Sequence, residues 1–207
     1  METRVRFAPS PTGFLHVGNI RVAIINYLFA KKTAGKFFLR LDDTDSERVK
    51  DEYREGIFTD MQWLGLNYDE CFKQSSRLDN YEIAKNKLIA SGRLYECFET
   101  NEGRHFSDPV LIREEDNKGY GVPTYTFCSV VDDIDYGITD IIRGEDHITN
   151  TAIQIQIFEA LGAKAPNFAH LSLIKANEGK ISKREGGFDI KGLRKEGYEA
   201  MSVINLL

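Results

Sequence analysis

Residues Pro9 to Asn19 read PSPTGFLHVGN, with two prolines, two glycines and a histidine packed into eleven positions. The apolar alternation of Val5 and Phe7 precedes them. Proline fixes φ and glycine frees it, so this stretch is a sharp turn between two regular elements. Before it, residues 4–8 have the period of a short strand. After it, apolar residues at Ile20, Ala23, Ile24, Tyr27 and Leu28 repeat at helical spacing, which predicts a helix over 20–32 with Asn19 as N-cap. Gly35 stops the helix, and KFFLRL at 36–41 is a second strand closed by the acidic Asp42-Asp43-Thr44-Asp45. A strand, a tight turn, a helix and a strand in succession predict a parallel sheet.

Downstream, amphipathic spacing predicts helices over 53–64 and 79–90, ended by Gly65 and Gly92. Residues 99–121 are polar, punctuated by glycine and weakly patterned, unusually long for a structureless connection. Strands are expected over 124–131, 137–142 and 167–174, a helix over 149–161 and a helical end over 193–207. The fold class expected is α/β, a Rossmann-like parallel sheet with flanking helices.

Totals narrow the function classes. The 207 residues suffice for one well-buried domain or two small ones. At 42% hydrophobic and 29% charged the composition is that of a globular protein. The longest apolar runs are short and METRVRF carries no signal core, which predicts a cytoplasmic chain with no membrane partner. Cys71, Cys97 and Cys128 are odd in number and lack CxxC spacing, against a disulfide frame or a zinc knuckle. The net charge of −5 excludes a general polyanion binder. It is uneven: eight Lys/Arg face five Asp/Glu from Ala163 onward, net +3, leaving −8 elsewhere. A basic end on an acidic body can meet a phosphate backbone locally.

Four constellations carry chemistry, each with a plain alternative. His16 stands beside Gly18 at the expected helix mouth, where unpaired N–H groups and the helix dipole favour an anion. Gly18 leaves room for a flat ring or a phosphate; the alternative is a polar surface residue. Lys180-Ile181-Ser182-Lys183-Arg184 sets three cations in five residues between glycines, as an anion-seeking loop or a solvated hairpin. Asp42, Asp43 and Asp45 end a strand, where open α/β sheets bind ligands, or cap the next helix. Arg143, in RGEDH after Asp132-Asp133, is able to grip a carboxylate bidentately or to serve in a structural ion pair.

The four occur in a specific order: PSPTG-x-x-HVGN, then DDTD, then PTY-x-x-x-x-x-VDD-x-x-x-x-x-T-x-x-x-RGEDH, then KISKR. That ordered set resembles the catalytic domain of bacterial glutamyl-tRNA synthetases, class I aminoacyl-tRNA synthetases. HVGN stands where that class has its "HIGH" signature and KISKR where it has "KMSKS". The resemblance runs from Arg4 to about Leu206 and implies formation of glutamyl-adenylate from ATP and L-glutamate, then transfer to tRNA(Glu), with tRNA(Gln) as an open second acceptor. It implies catalytic His16, Lys180 and Lys183. It implies an ATP site of Pro9, His16, Gly18, Asn19, His147, Lys180, Ser182, Lys183 and Arg184, with Mg2+ bridging the phosphates and no metal held by the protein itself. It implies a glutamate site of Arg6, Ser10, Asp42, Tyr125, Ser129 and Arg143. Asp42 stands where the family usually has glutamate, and Ser129 where some members carry asparagine. A monomer is expected.

The same resemblance divides the chain into a first catalytic half (1–99), a shortened acceptor-end insertion (100–120), a second half with the KISKR loop (121–190) and the helical start of a stem-contact region (191–207). Family members carry a larger insertion and a helical anticodon-binding domain beyond. Three rival readings exist: a truncated paralogue that glutamylates a modified tRNA nucleoside, whose cysteine-rich zinc site is not matched here; a small nucleotidyltransferase, which leaves KISKR and RGEDH unexplained; and a silent tRNA-binding module, against which His16, Lys183 and Arg143 speak.

Overall fold

A computed structural model describes residues 2–45, 47–96, 109–115, 121–176, 179–180 and 189–207. The chain forms two compact units. The first comprises 1–75, 138–148 and 166–207; the second comprises 76–137 and 149–165.

In the first unit, β1 (Arg4–Phe7) pairs in parallel with β2 (Lys36–Leu41), which pairs in parallel with β3 (Glu70–Lys73). Two helices connect them, α1 (Val17–Lys32) and α2 (Asp51–Trp63). A second parallel pair, β6 (Asp140–Gly144) with β7 (Asn167–Leu171), stands against the other edge of β1. There the Thr139 N–H donates to the Arg4 carbonyl at 2.9 Å, and the Arg4 N–H donates to Thr139 Oγ1 at 2.8 Å. The strands therefore lie side by side as β3, β2, β1, β6, β7. Chain order reverses between β1 and β6, the point where open parallel sheets bind ligands beyond their carboxyl ends.

The core follows from the sequence pattern. Val5, Phe7, Ile20, Ala23, Ile24, Phe37, Leu39, Leu41, Ile57 and Met61 are buried in one cluster. Each large aliphatic or aromatic side chain there contributes about 1.5–3 kcal/mol relative to exposure. Asn26 of α1 donates to the Ile142 carbonyl at 2.9 Å, which ties the first helix to β6. The helical stripe expected for α1 is largely the observed one, although Leu28 is about half exposed.

Short elements complete this unit: β8 (Lys175–Ala176) pairs antiparallel with β9 (Gly179–Lys180), and α6 (Ile190–Lys195) and α7 (Ala200–Leu206) follow. The single C-terminal helix expected is thus two helices, because Gly197 takes φ +86° between them. The strand β3, half-exposed and without alternation, had no sequence signal.

The second unit holds α3 (Leu78–Ala90), the antiparallel pair β4 (Ile112–Glu115) and β5 (Gly121–Pro123), α4 (Tyr125–Asp135) and most of α5 (Ile148–Ala160). The strand expected over 124–131 is corrected: those residues belong to helix α4. Phe127 through Asp133 are all buried, and a continuous apolar run reads equally as strand or helix. Helix is favoured by tertiary satisfaction of its acid. Asp132 receives Arg77 Nε at 2.7 Å and the Tyr81 hydroxyl at 3.0 Å, both from the start of α3. Arg77 also reaches Asp135 and lies over the Tyr136 ring. Asp132 is therefore held by Arg77 and Tyr81. No helix of the described residues is long and apolar enough to cross a membrane.

Candidate active site

The turn after β1 is fastened before it reaches α1. The Asp42 N–H donates to the Pro9 carbonyl at 3.1 Å and the Lys50 N–H to the Pro11 carbonyl at 3.2 Å. Leu15 and Val17 are buried on either side of His16. His16, not Asn19, is the N-cap of α1, in extended conformation at φ −114° and ψ 168°. Its Nδ1 accepts the Gly18 N–H at 3.1 Å, while Asn19 Oδ1 accepts the His16 N–H at 3.3 Å. Reciprocal capping of this kind satisfies two donors that a helix start leaves open. Sequence favoured Asn19 because asparagine is a frequent cap and histidine is not.

This geometry orients the imidazole. With Nδ1 accepting, the neutral ring carries its N–H on Nε2. Gly18 packs closely against it: a Cβ there would meet His16 Cε1 and Nδ1 at 3.0 Å each, and the ring would have to shift by a few tenths of an ångström.

At the end of β6, Arg143 is 5% exposed. Its Nη2 approaches the His147 carbonyl at 3.4 Å, and its guanidinium lies over the Phe168 ring at 5.5 Å. Arg6, in the adjacent strand β1, is 3% exposed. Burial lowers the pKa of His147 below its ordinary value; Asp146 opposes the shift, while Arg143, Arg6 and His170 add to it. His170, opposite Arg143 in the strand register, is lowered by burial and by Arg143. Two buried guanidinium groups from neighbouring strands thus face a region where the imidazoles resist becoming cations, an environment complementary to an anion.

The acids after β2 have separate partners. Asp42 receives Arg40 Nε at 2.6 Å and Nη2 at 3.3 Å, a buried fork-like pair. Asp43 accepts both the N–H and the hydroxyl of Ser75 at 2.8 Å. Arg40 escaped the sequence reading. Its signal was a charged residue inside the otherwise apolar KFFLRL run, which a buried strand tolerates only with a partner.

The structure gathers Arg6, Arg143 and His147 at one strand end and His16, Gly18 and Asn19 at the mouth of α1, all in the first unit. Pro9 is buried and Ser10 exposed in the intervening turn. Tyr125 and Ser129 belong to the second unit, where Tyr125 opens α4. Ser129 donates to the Thr126 carbonyl at 3.1 Å and accepts from Gln154 Nε2 at 2.6 Å. The backbone of Lys180 pairs with Lys175. Ser182, Lys183 and Arg184 lie outside the described residues, as does Cys97.

The family model described as "tRNA synthetases class I (E and Q), catalytic domain" matches residues 2–105 and 110–207. The chain belongs to that family. This E and Q synthetase chain is 45% identical to glutamate--tRNA ligase 2 of Orientia tsutsugamushi, over all of its own length and 60% of the relative. It is 45% identical to glutamate--tRNA ligase 1 of Rickettsia prowazekii over 96% of the chain and 58% of that relative. Among solved structures, a glutamate tRNA ligase from Elizabethkingia meningosepticum in complex with its amino acid superposes with a TM-score of 0.80 at 28% identity, over all of the chain and 60% of that structure. The synthetase chain therefore spans about 60% of the length of these relatives. The Orientia alignment runs over 273 positions against 207 residues here, a difference of 66, so that relative has internal segments without counterpart in this chain.

Proposed function

We propose that the chain activates L-glutamate with ATP, as glutamyl-adenylate, and passes the glutamyl group to tRNA(Glu). The carrying observation is the pair of buried arginines, Arg6 and Arg143, on adjacent strands at the same end of the sheet as the helix mouth of His16. The names of the relatives support the same substrate.

The glutamate α-carboxylate attacks the α-phosphorus of ATP; the new O–P bond forms as the bond to pyrophosphate breaks. Both reactants are anionic, so the site has to offset their repulsion and stabilise charge growing on phosphate oxygens. His16 Nε2–H and the open N–H groups of α1 supply donors, with Asn19, His147 and the Pro9–Gly18 turn shaping the nucleotide pocket. Lys180, Lys183, Ser182 and Arg184 hold the phosphates and the leaving pyrophosphate. Arg6 and Arg143 take the γ-carboxylate, with Ser10 in the turn that follows Arg6's strand. Asp42 holds the substrate ammonium while its own charge is shared with Arg40. Mg2+ would arrive with ATP and offset charge on its phosphates.

The terminal ribose hydroxyl of the tRNA then attacks the adenylate carbonyl and releases AMP. Glutamine offers the two arginines a neutral amide where glutamate offers a charge, a loss on the order of 2–3 kcal/mol, or about a hundredfold in rate. The setting is the cytoplasm, the enzyme a monomer, with residues 191–207 opening a stem-contact region.

ATP–pyrophosphate exchange tests the reading with glutamate, glutamine and aspartate, each with and without tRNA(Glu) or tRNA(Gln). Exchange with glutamate at about a hundredfold over the other two is expected. Absence of glutamate-dependent exchange under every condition overturns it.

A further inference from the structure

The backbone that carries His16 is held from behind by a segment to which the reaction above gives no part. Asp189 forms an antiparallel bridge with His16, and beside it the Ile190 N–H donates to the Leu15 carbonyl at 2.9 Å. Asp189 is also the N-cap of α6: its Oδ1 accepts the Gly192 N–H at 2.7 Å, and its carbonyl accepts the Leu193 N–H at 3.1 Å. Ile190 is fully buried in the same cluster as Leu15 and Val17. Lys191 Nζ lies 4.2 Å from the centroid of Phe14, whose ring meets Tyr53 edge-on at 5.0 Å. Arg194, at the other end of α6, pairs with Asp60 of α2 at 3.5 Å. The short helix is thus pinned to the turn and to α2, and the residue that caps it is the one bridged to His16.

The brace matters because the two jobs of His16 need one backbone conformation. Its ring reaches the Gly18 N–H only while the backbone stays extended as a cap, and an antiparallel bridge is a contact made by extended backbone. If α6 frays, Asp189 and Ile190 are no longer fixed against Leu15 and His16. The ring then gains alternative rotamers and its Nε2–H loses a constant direction.

We propose that Asp189 is a positioning residue for His16: by capping α6 it locks the Asp189–Ile190 backbone against Leu15–His16 and so fixes where the imidazole donates. The inference rests on the adenylate-forming reading for its effect on rate, but its first consequence is in the ring itself.

The test pairs kinetics with 15N NMR of the histidine tautomers. The parent chain and Asp189→Asn, which retains a capping oxygen, should show His16 as the Nε2–H tautomer, whereas Asp189→Ala should show a mixture. In pyrophosphate exchange, Asp189→Ala should lower kcat about tenfold with the KM for glutamate within twofold, and Asp189→Asn should stay within twofold of the parent. In a His16→Ala background, Asp189→Ala should cost less than a further twofold, because the two act through one group. Asp189→Gly, a milder loss of cap, carries the same comparison if Asp189→Ala does not fold. Unchanged tautomer and kcat in Asp189→Ala, or a full additive loss without His16, overturns the positioning role. A parent chain that exchanges nothing while Asp189→Ala still scrambles the tautomer sinks the synthetase reading and leaves the brace standing.

Discussion

His16 caps α1 through Nδ1, and Gly18 is the residue whose bare Cα lies against the imidazole. Alanine is favoured over glycine within a helix by about 1 kcal/mol, so Gly18→Ala would ordinarily stabilise α1. Here the added methyl meets the imidazole at 3.0 Å and turns it. The expected result is a melting temperature at or slightly above that of the parent together with a roughly tenfold loss of glutamate-dependent exchange; calorimetry and the exchange assay read the two sides. At this scale much was legible. HVGN in a glycine-rich turn announced a helix mouth, and RGEDH placed an arginine at a strand end. The sequence could not show that the histidine does the capping, nor that Asp42 is paired with Arg40, since both depend on side-chain directions rather than on spacing.

Elements were legible where one face is buried and the other wet. The stripe of α1 was read from period, because burial on one side leaves a regular mark, whereas β2, buried from Phe37 to Leu41, was read as a short apolar run bounded by Gly35 and the acids at 42–45. Helix α4 was misread as a strand because Phe127 to Asp133 are buried together, which erases that mark. Its acid is stabilised by Arg77 of another segment, a partner no local pattern announces. A second buried acid governs how α2 and α6 respond to pH. Burial raises the pKa of Asp60 from 3.8 to about 6, with Arg194 pulling the other way, Asp189 adding to the rise and Lys191 opposing it. A raised carboxyl contributes stability that is complete below pH 3.8 and lost as the pH climbs through about 6. Asp60→Asn stays neutral throughout. Urea denaturation should therefore find it more stable than the parent by about 2 kcal/mol at pH 8, with the gap closing toward pH 4. A gap that widens on acidification would contradict this origin.

At the scale of the whole molecule, the proposed reaction has two halves, activation and transfer. The groups proposed for adenylate formation are built from the turn after β1, the ends of β2 and β6, and the strand that leads to KISKR. Positions absent relative to the Orientia ligase amount to 66 within the alignment, and the chain spans 60% of that relative. Activation should accordingly be retained better than transfer: relative to a full-length relative, pyrophosphate exchange should fall by about tenfold or less while tRNA charging falls a hundredfold or more. Equal losses in the two assays would show that the missing positions serve activation as well. The order of the four motifs carried this level of the reading, whereas the division into two units did not follow from chain order, because contacts between distant segments decide it.

The placement of β1 also bears on how the protein comes into being. Its first strand meets β2 almost at once, but its other neighbour is separated from it by 135 positions, from Arg4 to Thr139. At synthesis rates of about 5–20 residues per second, that flank stays bare for on the order of ten seconds on the ribosome. During that interval β1 offers an open ladder on one side, and closing it is a long-range pairing of the kind that slows folding.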